Sequence, residues 1–269
     1  MKRLITFLTS LVRDGAIVGY ATYLRYRLGP SLGLTEPMQV TVEGNTVWVR
    51  PGTPDLRVAF QSLRSELSVL SDLLPPDFDG LLVDAGGYIG TSALKLAQMY
   101  PQTTVVTIEA SAKNFQILGK NVADNERIVP IKGALHSESG LSLDLMDRGT
   151  GAWGFSVAAS GGTLTHSETV HSVTLQELSE RFPLKSLGIV KMDIEGGEHA
   201  LLSTHDMTLA SADVIFIELH DRIVPGCTEL FRAFSRERWL LNAGGEKFLS
   251  LRRSLGRGEM SPIKATRGD

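Results

Sequence analysis

Acidic side chains recur where short apolar runs end. Asp84 follows Leu81, Leu82 and Val83, Glu109 follows Thr104 to Ile108, Asp193 and Glu195 bracket Ile194, and Glu218 and Asp221 follow Val214 to Ile217. Lys191 and His220 share two of these ends. Carboxylates there can accept hydrogen bonds from hydroxyls or face a cation, and an imidazole beside them can move a proton. Alternation along a strand through Ile189 to Ile194 turns Lys191, Asp193 and Glu195 to one face, which is costly unless the charges are paired or used.

The first of these ends carries a glycine loop. Asp84 is followed by glycines at 86, 87 and 90, and then by TSALKLAQMY with apolar residues at 93, 94 and 97. The pattern reads strand, sharp turn, helix, with glycine backbone that a ligand can approach closely. Glu109 lies nineteen residues beyond Gly90, a spacing that suits a carboxylate holding ribose hydroxyls. A dinucleotide fingerprint ending at Gly90 would want glycines at 85, 87 and 90, but position 85 is alanine and Asp84 would repel a pyrophosphate. S-adenosylmethionine carries a sulfonium and an ammonium, so the same acid favours it. An NAD-dependent oxidoreductase and a non-catalytic adaptor on the same core are the alternatives.

The elements that must position these groups follow from the pattern. Strand and helix signals alternate through 81–85, 104–109, 128–134, 188–194 and 213–219, which predicts a doubly wound, mostly parallel α/β sheet. Such sheets bind ligands at the carboxyl edge of their strands. Upstream, Val40, Val42, Val47 and Val49 alternate around Glu43, Gly44 and Asn45, a hairpin signal. The expected organisation is a helical arm over 1–37, a hairpin and helix over 38–79, the main domain over 80–254, and a disordered tail over 255–269. Residues 137–172, rich in Gly, Ser and Thr, read as a flexible excursion beside the site. In it Trp153 and Phe155 are expected to anchor the loop, the alternative being stacking on a substrate ring.

Composition agrees with one large core: 269 residues, 42% hydrophobic, with a net charge of −3. No broad basic face advertises nucleic acid. Cys227 is the single cysteine, so no internal disulfide can form, and a cytoplasmic location is expected. Residues 1–30 carry Lys2, Arg3, Arg13, Arg25 and Arg27 against the single acid Asp14. Neither of their apolar runs reaches the ~20 residues of a spanning helix. The arm is expected to pack on its own domain or a second subunit, with peripheral membrane contact as the alternative.

Taken together, the motifs RPGTPDL at 50–56, VDAGGYIGTSAL at 83–94, IEASAKNFQIL at 108–118, KGAL at 132–135, VTLQEL at 173–178 and KMDIEGGEHALL at 191–202 resemble the FkbM family of S-adenosylmethionine-dependent methyltransferases. Members usually have proline where Ala110 stands and often asparagine where Gly87 stands. The resemblance implies a seven-stranded class I methyltransferase sheet with an antiparallel last strand near Trp239 to Leu251. It also implies methyl transfer to a hydroxyl of a sugar, glycan or secondary metabolite. Asp84, Gly86, Tyr88 and Gly90 would contact the methionine portion, Glu109 and Ala110 the ribose side, Ala134 and Leu135 the adenine, and Asp193 the methyl end.

Methyl transfer to an alcohol needs in-line alignment about 3 Å from the methyl and removal of a proton. Candidate bases are His220, Asp193 and Glu195, with His220 preferred because imidazole titrates nearest neutrality. A competing reading places a divalent metal among Asp193, Glu195, Glu218, His220 and Asp221 to orient the acceptor. Glu198 and His199 read as ordinary helix-start residues.

Overall fold

The computed structural model describes residues 2–147, 155–156, 165–183 and 185–257. The chain begins with α1 (Lys2–Val18) and α2 (Tyr20–Leu28), followed by a hairpin of β1 (Met38–Val42) and β2 (Asn45–Val49). Glu43 and Gly44 both take positive φ, 49° and 77°, as a tight two-residue hairpin turn requires. Tyr23 and Tyr26 of α2 are buried with Val40, Val47 and Leu56, so the second helix packs on its own hairpin. Val12, Leu28 and Leu32 remain exposed on the same arm.

A helical segment, α3 (Asp55–Phe60) continuing through Gln61–Ser65 and Glu66–Leu70, leads into the main sheet. There β3 (Leu81–Ala85), α4 (Thr91–Met99), β4 (Thr104–Glu109), α5 (Ala112–Val122) and β5 (Ile128–Lys132) form one half. The short β6 (Ala134–Leu135), then β7 (Ser142–Asp147), β8 (Phe155–Ser156) and β9 (Thr165–Val173), make a separate small sheet before α6 (Leu175–Arg181). The second half comprises β10 (Leu187–Met192), α7 (Glu198–Ser203), α8 (Met207–Ser211), β11 (Val214–Glu218), α9 (Cys227–Phe234), β12 (Arg238–Gly244) and β13 (Lys247–Arg252).

Seven strands run in the order β12-β13-β11-β10-β3-β4-β5. Neighbours from β11 to β5 pair in parallel, and β13 pairs antiparallel with both β11 and β12. Helices cover both faces. Leu178, Leu201, Leu209 and Phe231 pack on one side with Val83, Val190 and Ile217. Leu67, Leu96 and Leu118 pack on the other with Leu82 and Ile189. Central strands buried on both faces read as unbroken apolar runs, which is why their positions are legible in sequence.

Three expectations need correction. The last strand, β13, is antiparallel as expected, but the stretch from Trp239 also holds β12, because the turn at Gly244 and Gly245 (φ 109° and 60°) reverses the chain between them. Among the described residues of the 137–172 excursion, β7 lies antiparallel to β9, with Leu145 and Val170 buried. Surrounding glycines and serines hide the short alternation of Leu143 and Leu145. Trp153 and the Phe155 side chain lie outside the described residues. Arg253–Arg257 form a 3-10 turn with Leu255 against the core, so order runs past the point where the polar composition suggested it would stop; residues 258–269 lie outside the described residues.

Candidate active site

The carboxyl ends of β3, β4, β10 and β11 meet at a cavity of about 470 Å³, a size suited to a small-molecule ligand. Its floor is the glycine loop. Gly86 has φ 76° and passes so close to the β10 terminus that an added Cβ would sit 1.8 Å from the Asp193 carbonyl oxygen. Only glycine permits that crossing. Gly87 is equally confined, since a Cβ there would meet Thr107 Oγ1 at 2.2 Å.

Glu109 ends β4 and lines the cavity. Its Oε2 accepts from Tyr88 N at 2.9 Å, and its Oε1 from Ser111 N at 2.9 Å and Asn114 Nδ2 at 3.3 Å. Burial pushes its carboxyl up to about 7 despite these bonds, which pull the other way. A second network reaches it from the hairpin side. Asp55, fully buried, accepts from Arg50 Nε (2.8 Å), Arg50 Nη2 (2.9 Å) and Tyr88 Oη (2.7 Å). Arg50 Nη2 also donates to Asn114 Oδ1 at 2.9 Å. Arg50 and Asp55 of RPGTPDL thereby brace both Tyr88 and Asn114, and through them Glu109.

Asp84 is completely buried beneath the loop. It pairs with Lys191 Nζ at 3.1 Å and accepts from Thr107 Oγ1 at 3.0 Å, while Lys191 Nζ also donates to the Gly86 carbonyl at 3.0 Å. Burial works to discharge Lys191, but Asp84 and Asp193 outweigh it and hold the ammonium well above its ordinary pKa. Asp84 therefore does not face the cavity as expected; its charge is consumed by a neighbouring strand. Gly90 also stands apart from the cavity wall: with φ 83° it starts α4 and packs on Leu118 and Val122.

At the other end, Glu198 is completely buried at the start of α7. Its Oε1 accepts from Ile194 N at 3.1 Å and lies 2.9 Å from His220 Nδ1, and its Oε2 accepts from Gly196 N at 2.8 Å. His220 is 1% exposed. Its Nε2 faces Asp193 Oδ1 at 3.6 Å, Glu195 Oε2 at 3.9 Å and Glu218 Oε1 at 4.0 Å, and makes no hydrogen bond. Burial lowers the imidazole pKa, but Glu198, Asp193 and Glu195 outweigh it and raise it to about 9. His220 is absent from the cavity lining, so the cleft does not bring its ring to the acceptor as the general-base expectation needs. Burial, then Asp193, pushes the Glu218 carboxyl upward, towards the range where a carboxylate accepts a proton readily.

The cleft gathers Gly86, Tyr88, Glu109, Ala110, Ala134, Leu135, Asp193, Glu195 and Glu218 from the expected residues. Asp221 is elsewhere: its carboxylate accepts from Gly226 N at 3.0 Å and from Thr228, ahead of and within the first turn of α9. Sequence reasoning missed Glu198, whose only sign was an acid in EGGEH that could reach back to its own loop. It also missed the far wall: Arg57, Gln61 and Glu66 from the helical segment, Arg222, and Lys247, which pairs with Glu66 and approaches Glu218 at 3.5 Å.

A sheet of this order, with its cleft at the carboxyl edge and an acid ending the second strand, defines a class I methyltransferase architecture. The family model described as "Methyltransferase FkbM domain" matches residues 84–245, and the chain belongs to that family. The hexuronic acid methyltransferase AglP of Haloferax volcanii is 26% identical over 168 residues, 61% of this chain and 66% of that protein. Among solved structures, the Methanococcus jannaschii fibrillarin pre-rRNA processing protein shares 11% identity at a TM-score of 0.42, over 81% of this chain and 83% of that one. The precorrin-6y C5,15-methyltransferase of Geobacter metallireducens shares 11% at 0.38, over 73% and 85%. Among the described residues no helix is long and apolar enough to cross a membrane.

Proposed function

We propose that the chain is an S-adenosylmethionine-dependent O-methyltransferase acting on a hydroxyl of a sugar or glycan. The observation that carries this is the split character of the cleft. At one end, Ile108, Ala134, Leu135 and Leu145 form an apolar slot beside Glu109; at the other, Asp193, Glu195 and Glu218 face Arg57, Gln61 and Lys247. The slot suits a purine. Glu109 has three donors, and a carboxylate offers about four lone-pair sites, so a ribose hydroxyl can still bond to it. The acids suit a cationic group and oppose a pyrophosphate, which argues against the NAD-dependent reading. A far wall built from guanidinium, amide and ammonium groups suits a polyol better than a flat apolar acceptor, and the similarity to a hexuronic acid methyltransferase points the same way.

The bound cofactor supplies an electrophilic methyl group on a sulfonium. Gly86 and Lys191 fix the loop beneath it, Glu109 orients the nucleoside, and the carboxylates of Asp193 and Glu218 hold the acceptor hydroxyl and receive its proton. Positioning carries much of such a rate. Calorimetry should find binding of S-adenosylhomocysteine and none of NADH, and mass spectrometry should find one added methyl on a hexose or hexuronic acid glycan. Binding of NADH without S-adenosylhomocysteine would overturn the reading.

A further inference from the structure

The acids at the far end of the cleft do more than attract a cation from a distance. Three carboxylate oxygens, from Asp193, Glu195 and Glu218, stand 3.6, 3.9 and 4.0 Å from a single nitrogen, His220 Nε2. None is close enough for a hydrogen bond, which needs about 2.7–3.2 Å. The spacing is instead that of donors sharing one ion: ligands at about 2.1 Å in octahedral geometry lie roughly 3.0 Å apart when adjacent and 4.2 Å apart when opposite. Each donor set that includes this nitrogen, Asp193 with Glu195 and Glu218 with Glu246, brings its atoms within 4.8 Å of one another.

The nitrogen itself is prepared for the task. His220 is 1% exposed, and its Nε2 is a buried polar atom with no hydrogen-bond partner, aimed into the acids. An orphaned polar atom in a buried ring is costly unless something outside the protein completes it. Its other nitrogen lies 2.9 Å from Glu198 Oε1, and Glu198 is tied down by the backbone N–H groups of Ile194 and Gly196. A carboxylate behind one ring nitrogen fixes the tautomer that presents a lone pair at the other, the arrangement seen behind histidine metal ligands. The loop from Ile194 to Gly196 that carries Glu195 is therefore fastened by the same carboxylate that orients the ring.

Charge points the same way. Asp193, Glu195, Glu218, Glu66 and Glu246 share this corner with Lys247, Arg222 and Arg57; Lys247 lies between Glu66 and Glu218, and Arg222 between Glu195 and Glu246. Lys191, the next nearest, is committed to Asp84.

We propose that Asp193, Glu195 and His220 Nε2 form a site for one divalent cation, Mn²⁺ or Mg²⁺, at the acceptor end of the cleft, with Glu218 beside it. Oxygen donors in the majority select hard cations, and a single imidazole is compatible with Mn²⁺. The ion would hold an oxygen of the acceptor against the carboxylates. That role rests on the methyl-transfer reading; ion binding itself does not.

The test uses the full chain, stripped with chelator and titrated with Mn²⁺ while the free-ion electron paramagnetic resonance signal is followed. One Mn²⁺ per chain is expected, displaceable by Mg²⁺. Asp193→Asn and Glu195→Gln should each weaken binding at least about tenfold, and Glu198→Gln about 10–100-fold by freeing the ring behind the ion. Circular dichroism on each variant separates this loss from unfolding. No uptake of Mn²⁺ by the folded wild type, or uptake unchanged in both Asp193→Asn and Glu195→Gln, would overturn the site. S-adenosylhomocysteine calorimetry on the same sample separates the two readings. Cofactor binding without Mn²⁺ binding removes the ion and leaves methyl transfer; Mn²⁺ binding without cofactor supports the ion and removes methyl transfer.

Discussion

Two buried ion pairs lie at adjacent strand ends and behave differently. Under the glycine loop, Asp84 and Lys191 are 3.1 Å apart, with Thr107 and the Gly86 carbonyl completing them. Across the cleft, Glu198 and His220 are 2.9 Å apart, yet one ring nitrogen is left over and three acids surround it. The first pair is closed and holds two strands and a loop in register. The second is open towards ligand. Burial of charge alone does not mark a functional group; an unmet hydrogen-bonding or ligating capacity beside the cavity does.

Breaking the closed pair should have the largest effect on stability. Lys191→Met leaves Asp84 buried without its cation and should cost about 3–5 kcal/mol, read by urea unfolding. Adding Asp84→Asn should restore part of the loss. A single-variant cost below about 1 kcal/mol, the range of exposed pairs, would show that the pair is not closed at all.

The open pair should cost less. Glu198→Gln keeps an acceptor for one loop amide but loses its charge, and about 1.5–3 kcal/mol is expected from bonds to a charged group, again in urea. A loss equal to that of Lys191→Met would erase the distinction between the pairs.

Glu109 sharpens the comparison from a third position, since it is buried, well bonded and still open to ligand. With its carboxyl raised to about 7, the folded free protein takes up a proton that the unfolded chain binds only near pH 4.5. Its contribution to stability is thus present below pH 4.5 and lost as pH rises through 7. Cofactor hydroxyls need the ionised form, so S-adenosylhomocysteine should bind up to about tenfold more weakly per pH unit below 7, with proton release on binding near pH 6.5. Calorimetry in buffers of different ionisation enthalpy reads both, and a flat profile from pH 6 to 8 would contradict it.

The smallest effect belongs to a residue outside both pairs. Asp221→Ala should cost about 1 kcal/mol through loss of a helix-start cap and leave methyl transfer at the wild-type rate. A collapse in turnover would return Asp221 to the site.

The parallel strands and the glycine loop were legible because central strands are apolar on both faces and because turns of positive φ favour glycine. Glu109 was legible from spacing alone. The partner of Asp84 was not, since Lys191 is far away in sequence and meets it only through the parallel pairing of β10 with β3. His220 was found, but not the acid behind its ring, Glu198, which looked like an ordinary helix-start residue. The far wall was unreadable for a similar reason: Arg57 and Gln61 belong to no motif of chemistry and line the cleft only because the helical segment folds across it.

That wall has a consequence for how the protein comes to be. Glu66 and Lys247, 181 positions apart along the chain, join across the rim of the cleft, so its two sides belong to the early and late parts of synthesis. On a ribosome the glycine loop and Glu109 can take shape while the acceptor side lacks its closing strand. Long-range closures of this kind come late and slowly. The nascent chain should therefore complete the glycine-loop side of the cleft first and close the opposite wall only when the final hairpin has emerged.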